Sequence, residues 1–317
     1  MRIRIEEVKG VLDRAFKRRG VEDHGVLIEH FIEAELRGHS SHGLQRVIPL
    51  LKGLDLGTIK PTISFEVVKE TTNSVLIDAK HSIGITLWNR LISREFKEPV
   101  YVIAVRNASH IGFLGYYTSK LAERGLVSIM FGNAEVGIVK PGTSKQVVST
   151  APISVGIPPS YVLDMSLAST ARGKILQALR RGEKIPRGVA VNERGEITED
   201  PAEALKGGIL PIGGFKGFLL ALTLDLLTAY LTGSAISDEV TGVLHTEKPP
   251  NKGEVMIIIN PLFFAMNFHA LEKMRGVTEF PGEHGMELRK KRLEEGYIDI
   301  DEKLWEELNK CEKSCSE

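Results

Sequence analysis

The sequence predicts an α/β protein whose two ends form a helical unit, and three features predict it. Apolar residues recur at helical spacing through the first sixty positions, short β-rich runs alternate with helical patterns through the middle, and the last thirty or so residues are charged and helical. Ile5, Val8, Leu12 and Phe16 mark the first helix, "RRGVED" makes a turn, and a second periodic run ends at Gly38. From "TISFEVVKE" onward, "SVLIDA", "VYVIAV", "LVSIMF", "YVLDM" and "VMIIIN" read as strands, while "GITLWNRLISREF" and "GYYTSKLAERG" read as helices between them. "GMELRKKRLEEG" and "DEKLWEELNKC" close the chain as charged helices that pack back on the first ones. The expected division is a helical N-terminal segment over 1–62, an α/β body over 63–283 and C-terminal helices over 284–317.

Composition narrows the function. Forty-one Lys and Arg balance forty-one Asp and Glu, so nothing in bulk electrostatics favours a polyanion, and no nucleic-acid partner is expected. Cys311 and Cys315 both lie in the polar tail and build neither a disulfide framework nor a zinc site, which points to a reducing cytoplasm. The longest apolar run, 218–231, is shorter than the roughly 20 residues that span a bilayer and carries Asp225, so it reads as a buried helix at a subunit contact and no membrane is expected.

Three clusters carry chemistry. "RGHSSHGLQR" at 37–46 follows a helix that Gly38 ends; Ser40 or Ser41 would cap the next helix, His42 and Arg46 would share one face of it at i and i+4, and Pro49 would kink it. A histidine able to give a proton beside an arginine able to grip a carboxylate is what reduction of a 2-oxo acid needs; a helix cap with a solvated His–Arg pair is the competing reading. His39 and His42 have no further ligands nearby, so no metal is expected. "NASHIGFLGYY" at 107–117 follows a strand, so Ser109 and His110 emerge where ligands collect in α/β proteins. "LPIGGFKGFLLAL" at 210–222 sets Lys216 among Gly213, Gly214 and Gly217 at a helix entry, a setting suited to a phosphate. No G-x-G-x-x-G follows an early strand, and "GIVKPGTS" at 137–144 puts Thr143 where a P-loop needs lysine.

Taken in order, "AELRGHSSHGLQR", "NASHIGFLGYY", "VLDMSLASTARGK", "IPRGVAVNERGEITEDP", "LPIGGFKGFLLAL", "IINP" and "FPGE" resemble the malate/L-lactate dehydrogenase family of the non-Rossmann type, over residues 34 to 283. The family includes sulfolactate and ureidoglycolate dehydrogenases and diketogulonate and piperideine-carboxylate reductases. The resemblance implies an NAD(P)-binding α/β body unlike the Rossmann domain, NAD or NADP as cofactor, a small-molecule 2-oxo or 2-hydroxy acid as substrate, and a homodimer with active sites near the subunit interface. It implies that His42 is the proton donor with Ser41 beside it, that Arg46 binds the substrate carboxylate and that His110 is a second histidine at the substrate. It also implies that Asp164, Met165, Ser166, Leu167 and Ala168, with Phe215, Lys216, Gly282 and Glu283, contact the cofactor.

The chain departs from the family in places. "STAP" at 149–152 stands where "GTNP" is usual, "PGT" at 141–143 where a paired glycine is usual, Val189 where tryptophan is usual and Asn192 where aspartate is usual, and the stretch between "IINP" and "FPGE" is short. These positions bear on substrate choice. Two readings compete with a hydroxyacid dehydrogenase: a reductase of a cyclic imine carboxylate such as pyrroline- or piperideine-2-carboxylate, and a non-catalytic nucleotide-binding protein.

Overall fold

The computed structural model describes residues 1–242 and 245–313; Cys315 lies outside the described residues. In chain order the elements are β1 (Arg2–Arg4), α1 (Ile5–Arg18), α2 (His24–Leu36), 3₁₀ turns at Ser40–His42 and Leu44–Arg46, α3 (Val47–Asp55), β2 (Glu66–Glu70), β3 (Ser74–Asp78), α4 (Gly84–Ile92), β4 (Val100–Arg106), α5 (Gly115–Glu123) and β5 (Val127–Gly132). There follow β6 (Ile138–Val139), β7 (Gln146–Val148), β8 (Ile153–Ile157), β9 (Tyr161–Met165), α6 (Arg172–Arg181), β10 (Ala190–Val191), α7 (Pro201–Lys206), β11 (Gly208–Ile209), α8 (Phe215–Thr232), β12 (Gly253–Ile259), α9 (Phe268–Arg275), α10 (Glu283–Glu295), β13 (Tyr297–Asp299) and α11 (Glu302–Lys313).

The two ends meet. β1 pairs antiparallel with β13, and Ile5, Val8, Leu12 and Phe16 of α1 are buried in one cluster with Leu304, Trp305 and Leu308 of α11. Glu6 and Glu7 at the start of α1 and Lys17 and Arg18 at its end complement the helix dipole. α2 is buried on most of its surface, since it runs between this unit and the α/β body.

The body is a seven-stranded sheet in the order β2-β3-β4-β12-β5-β8-β9, with β3 and β4 parallel and the other neighbours antiparallel. β12 sits in the middle, paired on both sides, and is covered on both faces. Its sequence "VMIII" is accordingly a continuous apolar run rather than an alternating one. A small sheet in the order β10-β11-β6-β7 lies beside it.

α8, expected over 218–231 as a buried helix at a subunit contact, is buried on one face within this chain. Ala221, Leu224, Asp225 and Thr228 face the body, whereas Leu219, Leu220, Leu226, Leu227, Tyr230 and Leu231 are exposed. By length and hydropathy the helix could cross a membrane. Asp225 is held inside by Ser149, whose backbone N–H and hydroxyl both donate to the carboxylate at 2.7 and 2.6 Å.

Candidate active site

A cleft of about 450 Å³ opens where four segments converge. The stretch between α2 and α3 supplies Ser41, His42 and Arg46, the loop after β4 supplies His110, the end of β9 supplies Asp164 and Met165, and the first turn of α6 supplies Arg172 and Lys174.

The histidine–arginine stretch takes a shape that helical spacing did not anticipate. Gly38, at φ +80°, ends α2, and the His39 N–H returns to the Ala34 carbonyl at 2.8 Å. The chain then forms two separate 3₁₀ turns in place of a capped α-helix, and no serine side chain caps either of them. The cause is Glu35. Its buried carboxylate accepts the Leu44 N–H at 2.8 Å and occupies the space where a side chain at position 43 would be, so Gly43 is needed there and the helix is broken at that point. The serines find other partners: Ser41 Oγ lies 3.0 Å from His42 Nδ1, and Ser40 Oγ accepts from Gln177 Nε2 at 3.0 Å. Arg46 folds back to donate from Nε to the Ser41 carbonyl at 2.9 Å. His42 and Arg46 thus reach one cleft without sharing a helix face. Pro49 is the third residue of α3, in its first turn, where the missing N–H has no intrahelical partner to lose, and the helix continues through it to Asp55.

The His42 and His110 rings stack with centroids 5.9 Å apart. Burial is the main cause that pushes His42 down to about 3, helped by the Arg46 charge and then by His39. His110 is held well below the usual histidine range by burial, with Arg46 next, and its Nε2 is buried without a hydrogen-bond partner among the described residues. Burial lowers Arg46 to about 10, which leaves it charged at neutral pH. The cleft therefore sets the neutral imidazoles of His42 and His110 beside the Arg46 guanidinium. An anion on Arg46 can be held beside a ring whose Nδ1 already faces Ser41, leaving Nε2 to exchange a proton.

The expected cofactor contacts divide between the cleft and the surface. Asp164, Met165, Ser166 and Ala168 line the cleft. Asp164 also accepts the Gly115 N–H at 2.8 Å at the head of α5, and burial raises its carboxyl to about 6. Leu167 is buried in the core, where its N–H and C=O bond Thr150 and Ile212. Phe215 and Lys216 are exposed at the start of α8, and Gly282 and Glu283 open α10, where the Glu283 carboxylate is engaged by Arg275 and the Phe280 N–H. These four do not line the cleft of this chain.

Among the charged residues in the cleft that sequence reasoning missed are Arg172, Lys174, Lys252 and Glu254. The first two sit in "TARGK", and the second pair opens the strand "KGEVMIII", where two charges two residues apart on an otherwise apolar strand were a readable signal. The head of α6 fits a dinucleotide phosphate. It has no acidic residue in its first turn and no side-chain cap, Arg172 and Lys174 supply charge, and Gly173 lets the helix approach Ser41, since a Cβ there would come within 2.7 Å of the serine Cβ.

Known proteins match along the whole chain. The family model described as malate/L-lactate dehydrogenase matches residues 3–309. The malate/(S)-sulfolactate dehydrogenase of Methanothermus fervidus is 33% identical, over 96% of this chain and 95% of that protein. A pyrroline/piperideine-2-carboxylate reductase of Pseudomonas putida is 29% identical over 96% of this chain and 95% of its own length. The solved sulfolactate dehydrogenase of Methanocaldococcus jannaschii superposes with a TM-score of 0.86 at 32% identity, covering 98% of this chain and 96% of that one. With the family model matched over residues 3–309 and the fold matched over 98% of the chain, the chain belongs to the malate/L-lactate dehydrogenase family.

Proposed function

We propose that the cleft interconverts a small 2-oxo acid and the matching 2-hydroxy acid, with Arg46 holding the carboxylate and His42 exchanging the proton on oxygen. NAD(P)-dependent oxidoreduction comes with the family; the roles of the residues are our reading. The observation that carries it is the convergence of His42, His110 and Arg46 in one cleft, with the α6 head and its two cations on the same cleft. When bound, the nicotinamide supplies or accepts the hydride. Arg46 can bind the carboxylate through two parallel N–H donors, which fixes the adjacent carbon. In oxidation, neutral His42 is ready to take the hydroxyl proton. In reduction it must first be protonated, and a carboxylate seated on Arg46 offsets the positive charge that opposes this. A free-enzyme limb near neutrality, expected for an ordinary histidine, is therefore not assigned to His42.

The homodimer is part of the proposal, supported by the exposed apolar face of α8 and by Leu262, Phe263 and Phe264 beyond β12. Phe215 and Lys216 stand at the head of α8, so their cofactor role, with that of Gly282 and Glu283, belongs to this assembled form. A reducing cytoplasm is proposed on cysteine usage alone. The test is oxidation of NADH and NADPH by the purified protein with pyruvate, oxaloacetate, 3-sulfopyruvate and a cyclic imine carboxylate. Turnover with 2-oxo acids is expected; turnover with the imine alone, or with none, refutes the reading.

A further inference from the structure

Lys252 and Glu254 form a buried ion pair that the proton and carboxylate roles above leave unused. Both line the cleft, at 3% and 1% residue exposure, and the Lys252 ammonium contacts Glu254 Oε1. Lys252 immediately precedes β12 and Glu254 is its second residue, and both side chains reach the cleft. The surrounding residues are shaped to hold them. Glu254 Oε2 accepts from the indole N–H of buried Trp88 at 3.3 Å, and Gly132 lies opposite in the β5 register, where a Cβ would come within 3.1 Å of Glu254 Cγ. The backbone is pinned on both sides: the Lys252 carbonyl accepts the Asn107 N–H at 2.9 Å, and the Gly253 N–H donates to Asn133 Oδ1 at 2.8 Å.

Stability alone does not account for such a pair. Desolvating two charges in a sheet centre is costly, and an apolar pair of the same size in a strand that continues Val-Met-Ile-Ile-Ile would serve the fold as well or better. The orientation suggests a use. Glu254 is anchored behind by Trp88, and the Lys252 ammonium that contacts it carries three donors. The Lys252 backbone is tied to Asn107, three residues before His110, and both side chains line the cleft, so Lys252 lies on the His110 side of it. A substrate held by its carboxylate on Arg46, with its reacting oxygen at His42, shares the cleft with this ammonium.

We propose that Lys252, held in place by Glu254, binds a second anionic group at the far end of the substrate, a carboxylate or a sulfonate, and so selects dianionic over monoanionic 2-oxo acids. The inference rests on the proposed oxidoreductase reading. Its test compares kcat/KM for pyruvate, oxaloacetate and 3-sulfopyruvate in the wild type, in Lys252→Met and in Lys252→Met/Glu254→Gln. The double variant leaves no buried charge unpaired, so it keeps the test usable if the single one folds poorly. The wild type is expected to prefer at least one dianion over pyruvate. Both variants are expected to lose about 10–100-fold on that dianion, the worth of one charge-assisted contact, while changing little on pyruvate. The two dianions distinguish a carboxylate from a sulfonate pocket. Equal losses on all three acids, an unchanged preference in the folded double variant, or a wild type that favours pyruvate would overturn the proposal while leaving the oxidoreductase reading intact. A wild type that reduces no 2-oxo acid overturns both.

Discussion

Gly43→Ala probes the joint on which the active-site stretch is built. A Cβ at position 43 would stand 2.1 Å from Glu35 Oε1 and 2.7 Å from its Cδ, far inside van der Waals contact. Glu35 is 6% exposed and cannot swing into solvent, so the clash must push the carboxylate away from the Leu44 N–H or push the 3₁₀ turns off α2. Leaving a buried N–H unpaired costs about 1–3 kcal/mol, and overpacking costs about 1–3 kcal/mol more, so the expected loss is about 2–5 kcal/mol. At about 2.1 cal/mol/K per residue, a chain of 317 residues loses about 1.5 °C of Tm per kcal/mol, which gives a fall of about 3–8 °C by calorimetry. His42 and Arg46 flank the joint, and a displacement of about 1 Å can cost up to about 100-fold in kcat/KM. The control is a double-mutant cycle. In a Glu35→Ala background there is room for the new methyl, so Gly43→Ala should cost far less there. A wild-type Tm in the single variant, or the same loss in both backgrounds, would refute the steric argument.

His42→Gln should lower turnover by about 10²–10⁴ with cofactor affinity unchanged, whereas Arg46→Lys, which keeps charge but loses the two-pronged grip, should chiefly raise the KM for the acid. Equal kinetics in a folded His42→Gln would leave the stretch a structural turn only. Burial raises the Glu35 carboxyl from 4.5 to about 7, so the folded protein holds this proton more tightly; the contribution to stability is full below about pH 4.5 and is lost as pH rises through about 7. Glu35→Gln stays neutral, keeps an acceptor for the Leu44 N–H, and should gain on the wild type by about 1–3 kcal/mol between about pH 5 and pH 8. A Tm difference that does not move with pH would count against this. Tyr230→Asp, on the exposed face of α8, should turn a dimer into a 35.0 kDa monomer by light scattering; a wild type already at 35.0 kDa removes the dimer from the proposal.

Much of the architecture was legible because single elements announce themselves. The period of Ile5, Val8, Leu12 and Phe16 marked α1, and "VYVIAV" and "VMIIIN" marked β4 and β12. The two-residue strands β6, β10 and β11 gave no pattern, since a strand that short has no period to read. α8 was read as a buried helix at a subunit contact, and an apolar sequence alone does not say which of its faces meets the chain's own core.

The sequence by itself determined which chemical groups are present: a histidine and an arginine after a glycine-terminated helix, a second histidine at a strand end, and an order of motifs that identifies the family. Only the tertiary structure decided how they meet. Glu35, nine residues before Leu44, captures its N–H and breaks the expected helix; Lys216 stays at the surface while Arg172 and Lys174 enter the cleft; and Lys252 and Glu254 arrive from the far end of the chain. The physical reason is that local spacing fixes only neighbours within a turn or a strand. A buried carboxylate, a desolvated imidazole and a floor of paired charges depend on which distant segments exclude water from them.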